Sequence, residues 1–379
     1  MKFALAGYGS RGDVEPVAAV GRELLGRGHD VCLAVPPWML GFVESAGLAA
    51  VRFGSDAPPI IEMSDVVRRI TQIWADWAAG LKTLASGADL LLTGKGEQQP
   101  AANVAEYYGI PNAALHFFPS DPASPGGVMG RLAKQAEDAQ RRELGLPDVT
   151  APARESLEIQ AYDELCFPEL ATEWAEQGRR RPFVGALTLE LPTDADAEVL
   201  SWIAAGAPPI YFGFGGGMQL PSPAETVALI TAACAQLGER ALIVGGPNDW
   251  SRIPHPDHVK VVSTVNHAAI FPACRAVVHH GGAGTTAAGM RAGIPVLILW
   301  LAVDDQPVWA EAVTRLGVAS GREFWSTTLD LLVADLRSIL NPECATRARE
   351  LATKMTKPAE SVARAADLLE DAARVGRCG

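Results

Sequence analysis

Short apolar strands alternate with helices along this chain, and Gly or Pro closes most of the units. In the N-terminal half the pattern predicts strands at Phe3–Ala6, Val31–Val35, Leu90–Leu92 and Asn112–Phe118, and helices at Glu15–Arg27 and Ala101–Tyr108. Such an alternation is typical of a mostly parallel sheet that is covered by helices on both faces.

A second series of the same kind begins near Pro209. It predicts strands at Ile210–Phe212, Ala241–Val244, Val259–Ser263, Ala276–His279 and Val296–Leu299, and helices at Ala224–Leu237, Thr285–Ala292 and Val308–Leu316. We therefore expect an α/β protein of two doubly wound, Rossmann-like domains that face each other across a cleft. Ligands should bind at the carboxyl ends of the strands.

The expected domain limits follow from the polar, Pro-bearing connection between the two series. Residues 1–185 should form the N-terminal domain and residues 186–358 the C-terminal domain. Residues 359–379 contain an amphipathic stretch, Ala359–Val375, which predicts a helix that packs back on the N-terminal domain. A length of 379 residues also favours two domains over one.

Composition excludes several classes of function. The formal charge is −12, from 32 Lys and Arg against 44 Asp and Glu, and a basic surface for nucleic acid is not expected. The longest apolar run, Gly293–Val303, is far shorter than the ~20 residues that span a bilayer. No signal-peptide pattern is present, and the six cysteines are scattered without a CxxC pair. We expect a cytoplasmic protein with ordinary thiols and no metal site.

The first strand runs into a glycine-rich turn, Gly7-Tyr8-Gly9-Ser10-Arg11-Gly12, which matches the dinucleotide fingerprint in its spacing. A nicotinamide site also needs an acid at the end of the second strand, but Asp30 stands at the beginning of that strand. A tight turn that merely requires glycine is the structural alternative.

Asp13 offers a third interpretation of this turn. A carboxylate at the N-terminus of the first helix is favoured in its ionised form, with an ordinary pKa near 4, and can accept a proton from a bound hydroxyl. A helix-capping role for Asp13 would be satisfied by the same geometry. The spacing alone does not decide between them.

The second half carries a more specific motif, the run Val277-Val278-His279-His280-Gly281-Gly282-Ala283-Gly284-Thr285-Thr286. Small residues expose the backbone amides at a helix N-terminus, and such amides bind a diphosphate without a metal ion. A histidine at the strand end can donate a hydrogen bond to the same phosphate. The two threonines can either cap the helix or contact phosphate.

About twenty residues after this motif, Asp305 and Gln306 follow the end of the next predicted strand. Adjacent carboxylate and amide groups at a carboxyl edge suit the vicinal hydroxyls of a sugar. The structural alternative is an N-cap pair for the following helix.

Together these motifs resemble the family 1 inverting glycosyltransferases of GT-B fold, in particular the bacterial branch that modifies glycopeptide antibiotics and glycopeptidolipids. The resemblance is carried by Gly9–Pro16, Tyr211–Gly215, Phe271–Thr286, Arg291–Pro295 and Asp305–Pro307. Nearly the whole chain is covered. The glycine fingerprint is weak by itself, whereas the His-His-Gly-Gly-Ala-Gly-Thr-Thr run with a following Asp-Gln is highly specific.

The resemblance implies a nucleoside diphosphate sugar, with TDP or UDP, as the donor substrate, and no cofactor or metal. It assigns the donor phosphates to Gly215, His280, Gly282, Ala283, Gly284 and Thr285, the nucleoside to Thr264 and Val265, and the sugar to Asp305 and Gln306. Asp13 takes the position of the catalytic base, and Ser10 and Arg11 of the same motif are expected at the acceptor.

The acceptor is expected to be a large amphipathic molecule such as a lipopeptide or glycopeptide, and a lipid-bearing acceptor would bring peripheral membrane contact. His116 and Phe117, at a predicted strand end, are the best candidates to bind it, and core packing is the alternative for each aromatic residue nearby. Relatives usually carry Ser where Gly216 stands, and the segments 57–71 and 124–131 look short for an acceptor site.

Four other functions remain open at this point. A sterol or lipid glucosyltransferase of the same fold, a sugar-nucleotide epimerase or hydrolase, and a nucleotide-binding protein without activity would share the donor motif. A nicotinamide oxidoreductase is favoured by the glycine fingerprint alone.

Overall fold

The computed structural model describes residues 1–54, 66–119, 127–147, 156–177, 181–215, 220, 222–246, 250, 252–301 and 305–377. For residues 66–71, 127–130 and 377 the description is limited to the backbone. The predicted acceptor segments 57–71 and 124–131 fall largely outside the described side chains.

The chain divides into two compact units. Unit 1 contains Met1–Glu164, Pro168–Leu189 and Pro358–Gly379, and unit 2 contains Leu165–Phe167 and Glu190–Lys357. The main chain therefore passes from unit 1 to unit 2 at Leu189, a few residues beyond the expected limit at 185, and its C-terminal segment belongs to unit 1.

Unit 1 contains one six-stranded sheet with helices between successive strands. Its elements are β1 (Lys2–Ala6), α1 (Arg11–Gly26), β2 (Asp30–Val35), α2 (Leu40–Ser45), β3 (Ala50–Arg52), α3 (Val66–Leu84), β4 (Leu90–Gly94), α4 (Gln98–Tyr108), β5 (Asn112–His116), α5 (Gly127–Leu144), β6 (Leu157–Gln160) and α6 (Pro168–Glu176). The strands pair in parallel in the order β3-β2-β1-β4-β5-β6, and Phe3 of β1 pairs with both Val31 and Leu90.

Unit 2 repeats this arrangement. Its elements are α7 (Asp196–Ala204), β7 (Ile210–Gly213), α8 (Pro223–Leu237), β8 (Ala241–Val244), β9 (Val259–Val262), α9 (His267–Ile270), β10 (Ala276–His279), α10 (Ala283–Arg291), β11 (Val296–Trp300), α11 (Gln306–Arg315), β12 (Ala319–Glu323), α12 (Leu329–Ile339) and α13 (Pro342–Ala352). In the two units together, single 3₁₀ turns lie at Pro37–Met39, Glu164–Cys166, Phe271–Ala273 and Phe324–Ser326. The strand order is β12-β11-β10-β7-β8-β9, again parallel throughout, so each unit has the doubly wound order of a Rossmann-like domain.

Alternate residues of the central strands fill the cores on the two faces of each sheet. In unit 2, Phe212 and Val278 pack with Leu336 of α12 on one face, whereas Tyr211 and Val277 pack on the other. Strands that are buried on both faces need continuous apolar runs, which is why these strands were recognisable in the sequence.

The C-terminal helix α14 (Pro358–Arg377) packs on α1 in unit 1. Arg27 at the end of α1 binds Asp367 at 2.7 Å and Glu370 at 3.1 Å, and His29 Nε2 lies 3.0 Å from Glu370. Among the described helices, none is both long enough and apolar enough to cross a membrane.

Several helix starts differ from the sequence predictions, and two of them fall in glycine-containing segments. Helix α1 begins at Arg11 and not at Glu15, so Asp13 lies inside its first turn. Helix α10 begins at Ala283 and not at Thr285, with Gly282 as its N-cap residue. In both cases a glycine-containing segment of low helix propensity is helical because tertiary packing overrides propensity.

Candidate functional site

The Asp13 turn, Gly215 and His280 lie at the point of their sheet where the strand order reverses, whereas the other predicted functional residues lie at other strand ends. In unit 1 this point is the carboxyl edge between β1 and β4, and in unit 2 it is the edge between β7 and β10. Doubly wound sheets bind ligands at this position because the loops from the two strands diverge there and leave a crevice.

In unit 1, the Asp13 carboxylate folds back over the turn that precedes α1. Its Oδ2 atom accepts hydrogen bonds from the Ser10 amide at 2.7 Å and the Ser10 hydroxyl at 3.0 Å. Ser10 is the N-cap residue of α1, and the two residues form a capping box. The capping alternative raised by the sequence is therefore realised, and it fixes the carboxylate in one orientation.

The pKa of Asp13 is raised, chiefly because burial disfavours the ionised form, whereas the Ser10 hydrogen bonds lower it. The sequence expectation of an ordinary solvated aspartate is wrong in this respect, because Asp13 is partly buried. A carboxylate with a raised pKa is a stronger base, so burial favours proton abstraction.

Gly9 explains why this turn is rich in glycine. Its φ angle is +137°, and a Cβ atom there would overlap the Asp13 carboxylate. The glycine at this position of the fingerprint leaves space for the Asp13 carboxylate against the backbone. A pyrophosphate is therefore not expected at the same place.

Aromatic side chains surround this turn. Tyr8 packs edge-on against Trp38, Phe53 and Trp77, with ring centroids 5.7, 6.1 and 5.3 Å away. Trp38 Nε1 also donates a hydrogen bond of 3.0 Å to the Gly9 carbonyl.

Two other predicted acceptor residues, Arg11 and His116, already make contacts within the protein. Arg11 binds Glu15 at 2.7 Å and stacks on the Phe42 ring at 4.9 Å. His116 is 1% exposed, and its Nε2 atom lies 2.9 Å from Gln98 Oε1.

Burial lowers the pKa of His116 to about 4; Glu158 opposes the shift, and Arg181 and Lys95 add to it. Phe117 follows His116 directly and is half-buried. His116 is therefore a neutral core histidine below the sheet edge, and Phe117 is the more accessible of the two.

In unit 2, His280 lies between two glycines. A Cβ atom at Gly215, whose φ is +73°, would come within 2.8 Å of the imidazole, and one at Gly282 would come within 2.7 Å of Nε2. Both positions therefore require glycine, since a larger residue would displace the ring. Because Gly215 follows β7 and His280 follows β10, the two loops meet at the crevice of this sheet.

His280 is held as a neutral imidazole. Burial lowers its pKa to about 4, and a backbone hydrogen bond with Gly213 offsets this only in part. Its Nδ1 atom has no hydrogen-bond partner among the described residues that meets ordinary geometry. The neighbouring His279 is fully buried, and its Nδ1 accepts the Gly281 amide at 3.0 Å. His279 therefore shapes the turn, and His280 faces the crevice.

The N-terminus of α10 has no side-chain cap, because its N-cap residue is Gly282. The first intrahelical bond runs from the Thr286 amide to the Gly282 carbonyl at 3.0 Å, so the amides of Ala283, Gly284 and Thr285 precede it. The Thr286 side chain is buried, and its hydroxyl donates a hydrogen bond of 2.9 Å to the Gly282 carbonyl. Thr286 is therefore not a candidate phosphate ligand. Gly284 is exposed and has open space where a Cβ would lie.

Asp305 and Gln306 begin α11 at the neighbouring strand end. Asp305 is the N-cap residue but makes no capping hydrogen bond, whereas Gln306 is 8% exposed and its Oε1 accepts the Leu301 amide at 2.7 Å. Gln306 thus ties the start of α11 to the end of β11 in addition to any role with a ligand.

The predicted nucleoside segment follows β9. Thr264 is exposed, but the Val265 side chain is 3% exposed and packs in the core with Phe271. Only backbone atoms of Val265 are therefore available to a ligand. The Asn266 side chain caps α9, and its backbone amide donates a hydrogen bond of 2.8 Å to the Asp196 carboxylate. These two contacts fix the turn.

The sequence analysis missed Glu97, a buried carboxyl group at the same edge of unit 1 as Asp13. The signal was present, because Glu97 comes three residues after the apolar strand β4 and directly before α4. Among the described residues, no cluster of three or more His, Cys, Asp or Glu side chains is arranged to hold a metal ion.

Comparisons with family models match both halves of the chain. Residues 3–94 match the "Glycosyltransferase family 28 N-terminal domain" and residues 244–368 match the "Erythromycin biosynthesis protein CIII-like, C-terminal domain". These ranges include the Asp13 turn and the His280 loop.

The chain is also similar to known proteins over nearly its full length. It is 58% identical to an uncharacterized glycosyltransferase of Mycobacterium leprae over 415 aligned positions, covering 98% of this chain and 97% of the relative. It is 30% identical to the vancomycin aglycone glucosyltransferase of Amycolatopsis orientalis, covering 98% of each. Since 415 positions exceed the 379 residues here, the mycobacterial relative carries segments that this chain lacks.

Solved structures share the fold. The glycotransferase of kitacinnamycin matches with a TM-score of 0.78 at 22% identity over 98% of both chains. VinC, solved in complex with dTDP, matches with a TM-score of 0.73 at 19% identity over 100% of both. Both similarities place the chain among two-domain GT-B folds.

Proposed function

The chain belongs to the GT-B glycosyltransferases with a family 28 N-terminal and an EryCIII-like C-terminal domain, and from this premise we propose that it transfers a sugar from TDP or UDP to a hydroxyl of a large amphipathic acceptor. The observation that carries the proposal is the uncapped N-terminus of α10 beside the neutral imidazole of His280.

The donor diphosphate binds at this helix end. The amides of Ala283, Gly284 and Thr285 donate to its oxygens, and the partial positive charge of the helix N-terminus adds to the attraction. His280 donates one hydrogen bond as a neutral group, and the space enforced by Gly215 and Gly282 keeps its ring in place. These groups receive the charge that develops on the leaving diphosphate, so the reaction needs no metal ion.

The sugar and the nucleoside take the neighbouring strand ends. Asp305 and the amide group of Gln306 lie at the start of α11 and accept and donate hydrogen bonds to vicinal hydroxyls. Thr264 and the backbone of Val265 follow β9 and lie along the nucleoside. A neighbour solved with dTDP supports a nucleoside diphosphate of this kind.

Asp13 acts as the general base. A carboxylate oxygen removes the proton of the acceptor hydroxyl while the hydroxyl oxygen forms a bond to the anomeric carbon. The bond from that carbon to the diphosphate oxygen breaks, and its electron pair leaves with the nucleoside diphosphate. Attack from the face opposite the leaving group inverts the anomeric configuration. General-base catalysis of this kind contributes ~10²–10⁴-fold to the rate.

The aromatic residues around the Asp13 turn favour an acceptor with an apolar surface. Tyr8 and Trp38 lie at this turn, and Ser10 and Arg11 supply polar groups there. Phe117 adds a half-buried ring after the end of β5. A relative named for the vancomycin aglycone supports a large peptide-like acceptor.

Product analysis tests the proposal. The protein is incubated with TDP- and UDP-sugars, with and without glycopeptide aglycone and lipopeptide acceptors, and the products are identified by mass spectrometry and NMR. We expect acceptor-dependent donor consumption and a glycoside of inverted configuration. Donor hydrolysis or epimerisation at the same rate without acceptor, retention of configuration, or no product with any acceptor would contradict it.

A further inference from the structure

Glu97 is a carboxyl group in a place where carboxylates are rarely found. It is 3% exposed and forms the N-cap position of α4, but its side chain does not cap that helix. Its Oε2 atom turns back toward β4 and lies 2.9 Å from where Gly94 would carry a Cβ atom. Gly94 therefore leaves the space in which the carboxyl group is held.

Glu97 connects the β4 end to the turn that carries Asp13. Its carboxyl group accepts hydrogen bonds from the backbone amides of Tyr8, Gly94 and Glu97 itself. Tyr8 directly precedes Gly9, and the Asp13 carboxylate lies against Gly9. Since β1 and β4 are paired neighbours, the two carboxyl groups share the crevice of unit 1.

The surroundings of Glu97 disfavour a second negative charge. Burial raises its pKa to about 8, the charge of Asp13 adds to the shift, and the backbone hydrogen bonds oppose it. Titratable groups on the neighbouring segments include Lys95 in its own loop, whose ammonium lies over the Phe118 ring, and neutral His116 at the end of β5. They also include Glu137 of α5, which accepts a hydrogen bond from Gln99.

We propose that Asp13 and Glu97 act as a pair: Glu97 holds the turn on which the Asp13 carboxylate rests, and it keeps its proton so that the single negative charge lies on Asp13. Glu97 is thus a positioning residue, and Asp13 alone touches the acceptor. This assignment rests on the proposed role of Asp13 as the base.

Infrared difference spectroscopy tests the protonation without any activity. The spectrum of the full chain minus that of Glu97→Gln at pH 7 should contain the C=O stretch of a protonated carboxyl group. The band should titrate near pH 8 in the parent and at clearly lower pH in Asp13→Asn, because the coupling between the two groups is reciprocal. Glu239→Gln is the matched control, since Glu239 is also shielded but pairs with Arg275. It should show no such band.

Kinetics test the positioning role. We expect Glu97→Ala to lower kcat by about tenfold or more without changing the affinity for TDP or UDP, and Glu97→Gln to recover most of that loss, because the amide keeps the shape, the backbone contacts and the neutral charge. Thermal unfolding of both variants separates a loss of fold from a loss of position.

Three results would overturn the proposal: no protonated-carboxyl band at pH 7, a Glu97 titration that Asp13→Asn leaves unchanged, or a Glu97→Gln variant no more active than a folded Glu97→Ala. Absence of glycosyl transfer in the parent would instead overturn the proposed function, and the spectroscopic result would still stand by itself.

Discussion

The carboxylate of Asp13 occupies the space into which a Cβ atom on Gly9 would project. Because Ser10 holds Oδ2 with two hydrogen bonds, the carboxylate has one preferred position over the turn. The capping box and the proposed catalytic base are therefore one structure.

Substitution of Gly9 should therefore displace the Asp13 carboxylate and lower activity, although Asp13 itself is unchanged. Gly9→Ala forces a Cβ atom onto Asp13 at a φ of +137°, and we expect a fall in kcat similar to that of an Asp13 variant. Unfolding of unit 1 should become easier by about 1–2 kcal/mol, the typical cost of a positive φ for an L-residue. Gly41→Ala is the control, because that helical glycine has open space around it. Equal activity of Gly9→Ala and the parent would contradict the geometry.

Asp13 itself can be tested with an isosteric change. Asp13→Asn keeps the hydrogen-bond shape of the turn but cannot take up a proton, so kcat should fall ~10²–10⁴-fold. Donor affinity should not change, since the donor groups belong to unit 2. The exposed Asp30, at the start of β2, provides the control substitution Asp30→Asn. Full turnover of Asp13→Asn in a steady-state assay would remove Asp13 from the mechanism.

His280 should contribute to donor affinity. A hydrogen bond to a charged group contributes about 1.5–3 kcal/mol, so His280→Ala should weaken TDP or UDP binding by roughly 10–100-fold. His255→Ala, an exposed histidine of the same unit, should leave calorimetric affinity unchanged. If both variants bind nucleotide like the parent, the phosphate site lies elsewhere.

The buried proton on Glu97 makes stability depend on pH in a defined direction. The pKa of Glu97 is about 8 in the folded chain against an ordinary value of 4.5, so the folded state binds the proton more tightly than the unfolded chain. Its stabilising contribution is complete below pH 4.5 and is lost as the pH rises toward 8, at up to about 1.4 kcal/mol per pH unit. Above that pH the stabilising contribution is absent.

Glu97→Gln cannot titrate, so its Tm should fall less than that of the parent between pH 5 and 8 when both are measured by calorimetry. Parallel Tm profiles for the two proteins would show that Glu97 ionises at its ordinary pKa.

Much of the fold could be predicted because its central strands are buried on both faces. Ala241–Val244 and Ala276–His279 were predicted with their observed limits, since continuous apolar runs bounded by glycine or charge define them. Three edge strands, β3, β6 and β12, were missed. The segment Ala319–Glu323 reads ASGRE, and an exposed edge strand of this kind has no apolar run to reveal it.

The candidate site was predictable where a motif carried it and not where packing created it. The His280 loop follows from the spacing of small residues beside a strand end, and the family models match the region that contains it. The neutral state of His280, the buried position of His116 and the pairing of Glu97 with the Asp13 turn depend on contacts between distant segments, which spacing along the chain does not contain.

Metal-free binding of the donor phosphates at α10 is tested most directly by hydrogen–deuterium exchange. The full chain is measured with TDP and with UDP in the presence of EDTA. Donor phosphates held by the start of α10 should slow exchange in peptides that contain Ala283–Thr285, without added metal. Peptides that cover the Gly7–Gly12 turn should not change. Protection of the Gly7–Gly12 turn instead, or protection at α10 only after a divalent cation is added, would contradict the account.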